Sequence, residues 1–200
     1  LTTLAATGVA TPDHVIRIKP FPLNLGAEDV EGPREQLAVC VADYANSYKA
    51  YFDKQSQRVV HPKIMLSARP KIVWARGVGV IGVGQASREA RMITDLAQQN
   101  IKVMLEGTAA GGFAPIGVND LFDMEYWSLE QAKLGKASVP ALTGCIVVVT
   151  GGAGAIGAAT AAAFMAQGAE VMLVDRDEDR LITTTKKLSG LGGGHAGMCC

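Results

Sequence analysis

The run TGGAGAIG at Thr150–Gly157 is the stretch whose residue types most directly imply chemistry. A pyrophosphate is doubly charged and has to lie close against the backbone that binds it. Glycine removes the Cβ atoms that would block that approach and tolerates the backbone angles of a tight turn. A helix starting behind the turn adds unpaired N–H groups and the positive end of its dipole. Two frames fit the letters. Gly152, Gly154 and Gly157 satisfy GxGxxG, whereas Thr150, Gly151 and Gly157 satisfy TGxxxGxG with Ala155 in place of its middle glycine. The second is preferred, because Thr150 closes the preceding apolar run and the turn begins at Gly151. The expected phosphate cradle is therefore Gly151, Gly152, Ala153, Gly154, Ala155, Ile156 and Gly157.

Asp175 follows at roughly the twenty-residue spacing at which a carboxylate accepts hydrogen bonds from an adenosine ribose. A carboxylate there repels a 2′-phosphate, so NAD is expected over NADP, and the neighbouring Arg176 softens that preference.

These residues need a strand, a helix and a second strand to hold them. Cys145–Thr150 is short, β-branched and apolar throughout, as in a strand buried on both faces of a parallel sheet. Ala158–Gln167 is alanine-rich and reads as a helix ending at Gly168. Glu170–Val174 is the second strand, with Asp175 at its end. Asp177 is placed to cap a further helix to Leu188, with Lys186 and Lys187 near its negative end. The glycines at 190, 192, 193 and 194 lead into Met198-Cys199-Cys200, the start of a third strand.

Upstream the pattern differs. Residues 1–35 carry Pro12, Pro20, Pro22 and Pro33 with little periodicity, and an irregular or extended segment is expected. Leu37, Val41, Tyr44, Tyr48 and Tyr51 recur at helical spacing within Glu35–Lys54. Strands fit Lys71–Ala75 and Val78–Val83 around a turn at Gly77. Ser87 suits an N-cap, with a helix to about Glu106 burying Ile93, Leu96, Ala97, Ile101 and Met104. A loop at 107–118 precedes an amphipathic helix over Glu125–Leu134, its apolar surface supplied by Trp127, Leu129 and Leu134. The Glu125-Tyr126-Trp127 cluster reads as packing between domains rather than as a stacking platform for a ligand. Gly135–Pro140 reads as a linker.

The 19 basic and 19 acidic residues cancel, so no global field attracts nucleic acid or an anionic membrane. The longest strongly apolar run, Ile146–Val149, is too short to cross a bilayer. Four irregularly spaced cysteines make neither a disulfide framework nor a metal knuckle, which suits reduced thiols in a cytoplasmic protein. His14, His61 and His195 lack partners at metal-ligand spacing, so no metal site is expected. Met165 and Met172 read as core fillers. Leu1 at the start and Cys199-Cys200 at the end lead us to expect a piece of a longer protein.

TGGAGAIG followed by VMLVDRD resembles the cofactor-binding start of the short-chain dehydrogenase/reductase family, over about residues 141–200. FDMEYWSLEQAKL (Phe122–Leu134), TPDHVIRIKPFPL (Thr11–Leu23) and GVGVIGVGQASREAR (Gly77–Arg91) resemble the bifunctional proteins in which a class II sugar-phosphate aldolase precedes such a dehydrogenase. The resemblance implies an α/β fold: the start of a Rossmann-type doubly wound parallel sheet over residues 139–200, preceded by an aldolase-associated α+β connector over residues 1–138. It also implies rhamnulose-1-phosphate cleavage and lactaldehyde oxidation in the parent protein, with NAD, a small-molecule substrate and a homo-oligomeric state. The family's proton-transfer pair is Tyr-x-x-x-Lys, and no tyrosine here has a lysine four positions on. Class II aldolases hold a divalent metal with several histidines, and this sequence has no HxH pair and carries Arg76-Gly77 where related units carry His-Gly. Catalytic residues and metal ligands are thus expected outside these 200 residues. The alternatives are a non-catalytic connector or oligomerisation module over residues 1–140, and a pseudo-enzyme that binds nucleotide as a regulator.

Overall fold

The computed structural model describes residue 4 and residues 6–132, 134, 140–189 and 195–199. Two compact units divide the chain: Leu1–Val83 with Arg91–Lys136, and Gly84–Ala90 with Ala137–Cys200. Residues 135–139 of the expected Gly135–Pro140 linker, the boundary at 138/139, the glycines at 190 and 192–194, and Cys200 lie outside the described residues.

The first unit opens with helix α1 (Pro12–Ile18), strand β1 (Leu23–Leu25) and helix α2 (Ala27–Glu31). The expectation of an irregular segment over residues 1–35 is therefore corrected. The Thr11 hydroxyl accepts from the His14 N–H, and Pro12 sits at the helix start, where its missing N–H costs nothing. Helix α1 is short but heavily buried, with Val15 and Ile18 at the centre of a core. Its brevity hides the periodicity that a longer helix would show.

Helix α3 (Arg34–Ser56) realises the tyrosine stripe. Strands β2 (Ile72–Ala75) and β3 (Gly79–Gly82) flank the expected turn at Gly77 and pair antiparallel, and β1 adds parallel to β2. Ile72 joins Val9, Val15, Ile16, Ile18, Ile93, Ala97 and Leu121 in one core, while Leu23, Leu25 and Ala75 cluster with Cys40, Val41 and Tyr44 of α3.

Helix α4 (Ser87–Ala109) buries Ile93, Ala97 and Met104 as its spacing requires. Ser87, expected at its N-cap, is its first residue. The Ser87 N–H and hydroxyl both donate to the Glu170 carboxylate, at 2.7 and 2.6 Å, and Glu89 reaches back to the Gln85 N–H at 2.7 Å.

The helix expected over Glu125–Leu134 is instead two, α5 (Val118–Glu125) and α6 (Ser128–Ala132). The buried stripe is Leu121, Phe122 and Glu125, so it begins upstream of the expected window. Trp127 and Leu129 are 44% and 65% exposed rather than buried.

In the second unit, strand β4 (Ile146–Thr150), helix α7 (Ala155–Ala166), strand β5 (Glu170–Asp175), helix α8 (Glu178–Leu188) and strand β6 (His195–Cys199) form a three-stranded parallel sheet of order β4-β5-β6. Both crossovers step in the same direction, so a constant right-handed sense puts both helices on one face. Val149, Val171 and Leu173 from the strands meet Ala161 and Met165 of α7 and Leu181 and Leu188 of α8 there. Alanines on α7 let the helix approach the sheet closely. This is the opening βαβαβ of a Rossmann-type α/β sheet. The expectation that β4 is buried on both faces is corrected: Ile146 is 80% and Val148 62% exposed, because both helices cover the face of Val147 and Val149.

Candidate functional site

Strand β4 ends at Thr150, opposite Val174 of β5, and the chain turns at once through Gly151, whose φ is +64°. The Gly154 N–H donates to the Gly151 carbonyl at 3.0 Å and closes the turn, and Gly154 becomes the N-cap of α7. The Gly152 N–H donates to the Val174 carbonyl at 3.1 Å, tying the turn to the end of β5.

Gly157, in the first turn of α7, stacks on this loop. A Cβ there would collide with the Gly151 carbonyl and stand 2.9 Å from the Gly152 Cα. In front of Gly151, by contrast, a Cβ would meet nothing within 4 Å. The turn is packed on its inner side and open on its outer side. The N–H groups of Ala155, Ile156 and Gly157 start the helix and so precede its i→i−4 ladder. Ile156 is 85% exposed and the Ala155 side chain is exposed, so the methyl in place of the family's middle glycine displaces no protein atom.

Asp175 is held against the turn. Its Oδ2 accepts from the Ala153 N–H at 2.9 Å and its Oδ1 accepts from the Asp177 N–H at 3.1 Å. These donors, Asp177 first and Ala153 second, hold the carboxyl below its ordinary value, so it is ionised at neutral pH. Each oxygen keeps a further lone pair for an outside donor. Arg176 is exposed beside it. Asp177 caps α8 as expected, its Oδ1 accepting from the Arg180 N–H at 3.0 Å. The sequence motif thus brings together every predicted cofactor residue. It did not reveal that the same carboxylate also splints the turn, a role set by where β5 ends relative to β4.

A nucleotide cofactor fits this turn on two observations. The inner wall admits no side chain at residue 157, and the outer side at residue 151 is open. Among the described residues no group of three or more His, Cys, Asp or Glu could hold a metal, and no helix is long and apolar enough to cross a membrane. Cys40 and Cys145 are free thiols.

A second constellation, in the first unit, was not anticipated. Lys19 follows α1 with φ +66° and is 6% exposed, and its ammonium lies 3.4 Å from the centre of the Tyr48 ring and 3.9 Å from the Glu125 Oε1. Glu125 is fully buried and accepts from the Tyr48 hydroxyl at 2.7 Å, which in turn lies 2.7 Å from the Tyr126 hydroxyl. The Tyr126 hydroxyl accepts from the Leu66 N–H at 3.2 Å, and the Lys63 ammonium donates to the Tyr126 carbonyl at 3.1 Å. Burial pushes Lys19 down to about 8 and Glu125 up to about 6, each partly offset by the other's charge. The reading of Glu125-Tyr126-Trp127 as packing between domains is corrected: Glu125 and Tyr126 are core groups of the first unit. The available signal was the tyrosines at 44, 48 and 51, whose buried hydroxyls require partners.

Residues 1–134 match the family model described as aldolase class II, second domain. The chain belongs to that family. Residues 145–200 match the short chain dehydrogenase model, so an aldolase-family domain and a dehydrogenase segment follow one another in one chain. The chain is similar to an uncharacterized oxidoreductase of Bacillus subtilis, YuxG, at 32% identity over 177 residues, covering 86% of this chain and 25% of that protein. It is also similar to a short chain dehydrogenase/reductase of Macrophomina phaseolina, at 47% identity over 53 residues, covering 26% of this chain and 30% of that protein. Among solved structures, a citronellol catabolism dehydrogenase of Pseudomonas aeruginosa matches at 32% identity with a TM-score of 0.30, covering 32% of this chain and 27% of that one. The parallel strand order β4-β5-β6 carries the Rossmann-type fold. The chain spans about a quarter of the length of the curated relatives it matches.

Proposed function

We propose that Gly151–Gly157 and Asp175 hold the adenosine diphosphate half of NAD in the dehydrogenase part of a longer oxidoreductase fused to a sugar-phosphate aldolase. The observation that carries this reading is the Asp175 carboxylate docked on the Ala153 N–H at 2.9 Å, which places an ionised acceptor at the rim of the glycine turn. The Ala155, Ile156 and Gly157 N–H groups and the α7 dipole would face the pyrophosphate, and the carboxylate would accept from the ribose hydroxyls while repelling a 2′-phosphate. When bound, the nicotinamide supplies hydride transfer. The substrate we propose is a small hydroxy or aldehyde product of sugar breakdown such as lactaldehyde, with proton transfer by residues outside this chain.

Calorimetric titration of the full-length protein with NAD and NADP tests the assignment. The wild type is expected to prefer NAD, and Asp175→Asn to lose that preference while keeping the turn through its remaining carbonyl oxygen. If neither nucleotide binds the folded protein, the glycine turn is a packing motif only.

A further inference from the structure

The first unit contains a cleft of about 600 Å³ between the chain around β1 and the tyrosine-bearing side of α3. Its aromatic lining is Phe21, Tyr44, Tyr48 and Tyr51, and its polar lining is Asn24, Asp43 and Ser47. The volume falls within the range of small-molecule sites. The rings are set edge-on or tilted to one another: Phe21 and Tyr51 have centroids 6.4 Å apart at 84°, and Tyr48 and Tyr51 5.8 Å apart at 46°. The Tyr44 hydroxyl donates to the Phe21 carbonyl at 3.0 Å and so pins one wall to the other.

The charge on this lining has one sign. Asp43 supplies a carboxylate, and among the described residues no lysine, arginine or histidine lines the cleft. Phosphate esters and carboxylates would meet repulsion from Asp43, and the Lys19 ammonium over the Tyr48 ring is already paired with Glu125. Aromatic faces carry negative potential and attract cations, more strongly as water is excluded. The same tyrosine group already holds one: the Lys19 ammonium, buried without a hydrogen-bond partner, lies 3.4 Å from the Tyr48 ring centre. Burial and the Glu125 charge hold the Tyr44, Tyr48 and Tyr51 hydroxyls well above the ordinary phenol range, so the rings stay neutral at any physiological pH.

We propose that this cleft binds an organic ammonium ion bearing an apolar body, its charge beside Asp43 and its body against Phe21, Tyr44 and Tyr51. The site is separate from the glycine turn and does not depend on the nucleotide assignment.

The test uses the full-length protein and three probes of one shape: benzyltrimethylammonium, benzyl alcohol and benzoate. Binding is followed by NMR shifts and by quenching of tyrosine and tryptophan emission. The cation is expected to saturate, the alcohol to bind at least threefold more weakly, and benzoate not to bind. Asp43→Asn, a change at an exposed position, is expected to weaken the cation about threefold and leave the alcohol unchanged. Equal binding of cation and alcohol would make the cleft an apolar slot without charge selectivity and overturn the proposal. Absence of saturable binding by the cation, or stronger binding of benzoate, would overturn it as well.

Discussion

Replacing the Lys19–Glu125 pair should change how the first unit responds to pH, and the sign can be worked out from the structure. Lys19 falls from 10.5 to about 8 on folding, and Glu125 rises from 4.5 to about 6. At about 1.4 kcal/mol per unit, these shifts correspond to roughly 3 and 2 kcal/mol. The stability linked to Glu125 is fully present below 4.5 and is lost as pH rises through 6. The stability linked to Lys19 is absent below 8 and is gained as pH rises from 8 towards 10.5. Together they make a trough between pH 6 and 8, where both groups are charged in the core. His14, whose value burial lowers, acts oppositely to Glu125 on the acid side, so the pair must be isolated by difference. Both tryptophans, Trp74 and Trp127, lie in the first unit, so their fluorescence in urea reports that unit alone. Stability measured from pH 5 to 10 in the wild type, minus that of Lys19→Met/Glu125→Gln, should show the trough. The double variant should be as stable as the wild type or more so at pH 7, since well-packed neutral groups commonly replace a buried pair without loss. Lys19→Met alone should destabilise by about 3 kcal/mol or more, because it strands a buried carboxylate. A flat difference curve would refute the reasoning.

Three further outcomes follow from the geometry. In the Glu125→Gln background, glycine at residue 19 should be more stable than alanine by about 1 kcal/mol, because φ +66° favours glycine; urea denaturation followed by tryptophan emission decides it. Gly157→Ala should cost about 1–3 kcal/mol and loosen the turn, since its Cβ falls on backbone atoms of Gly151 and Gly152, read as lost amide protection across β4 and β5. Asp175 is held below 3.8, so its support for the turn is present above that pH and disappears as pH falls through the lowered value. Protection at Ala153 and Asp177 should drop in acid, and the drop should vanish in Asp175→Asn.

The dehydrogenase side was legible because its chemistry is local. A strand, a glycine turn, a helix and a second strand follow one another without interruption, and the residues that would meet the phosphates are consecutive. The upstream unit was less legible for two reasons. Helix α1 is only 7 residues long, too short to display a period, so its capping residues Thr11 and Pro12 were the better signal than its apolar pattern. The break between α5 and α6 falls at Tyr126, whose hydroxyl is engaged by Tyr48 and Leu66, contacts from parts of the chain about sixty residues or more away.

Sequence by itself determined the order of elements from Thr150 to Leu188, the need for glycine at the turn, and the placement of an acid at the end of the second strand. Each follows from backbone geometry within a few residues. Tertiary structure alone decided which face of β4 is covered, that Asp175 braces the turn it was expected only to flank, and that Lys19 and Glu125 share one buried site. Those outcomes depend on which distant segments come into contact. A lysine after a short helix and a glutamate before a tyrosine carry no mark of each other until packing removes the water between them.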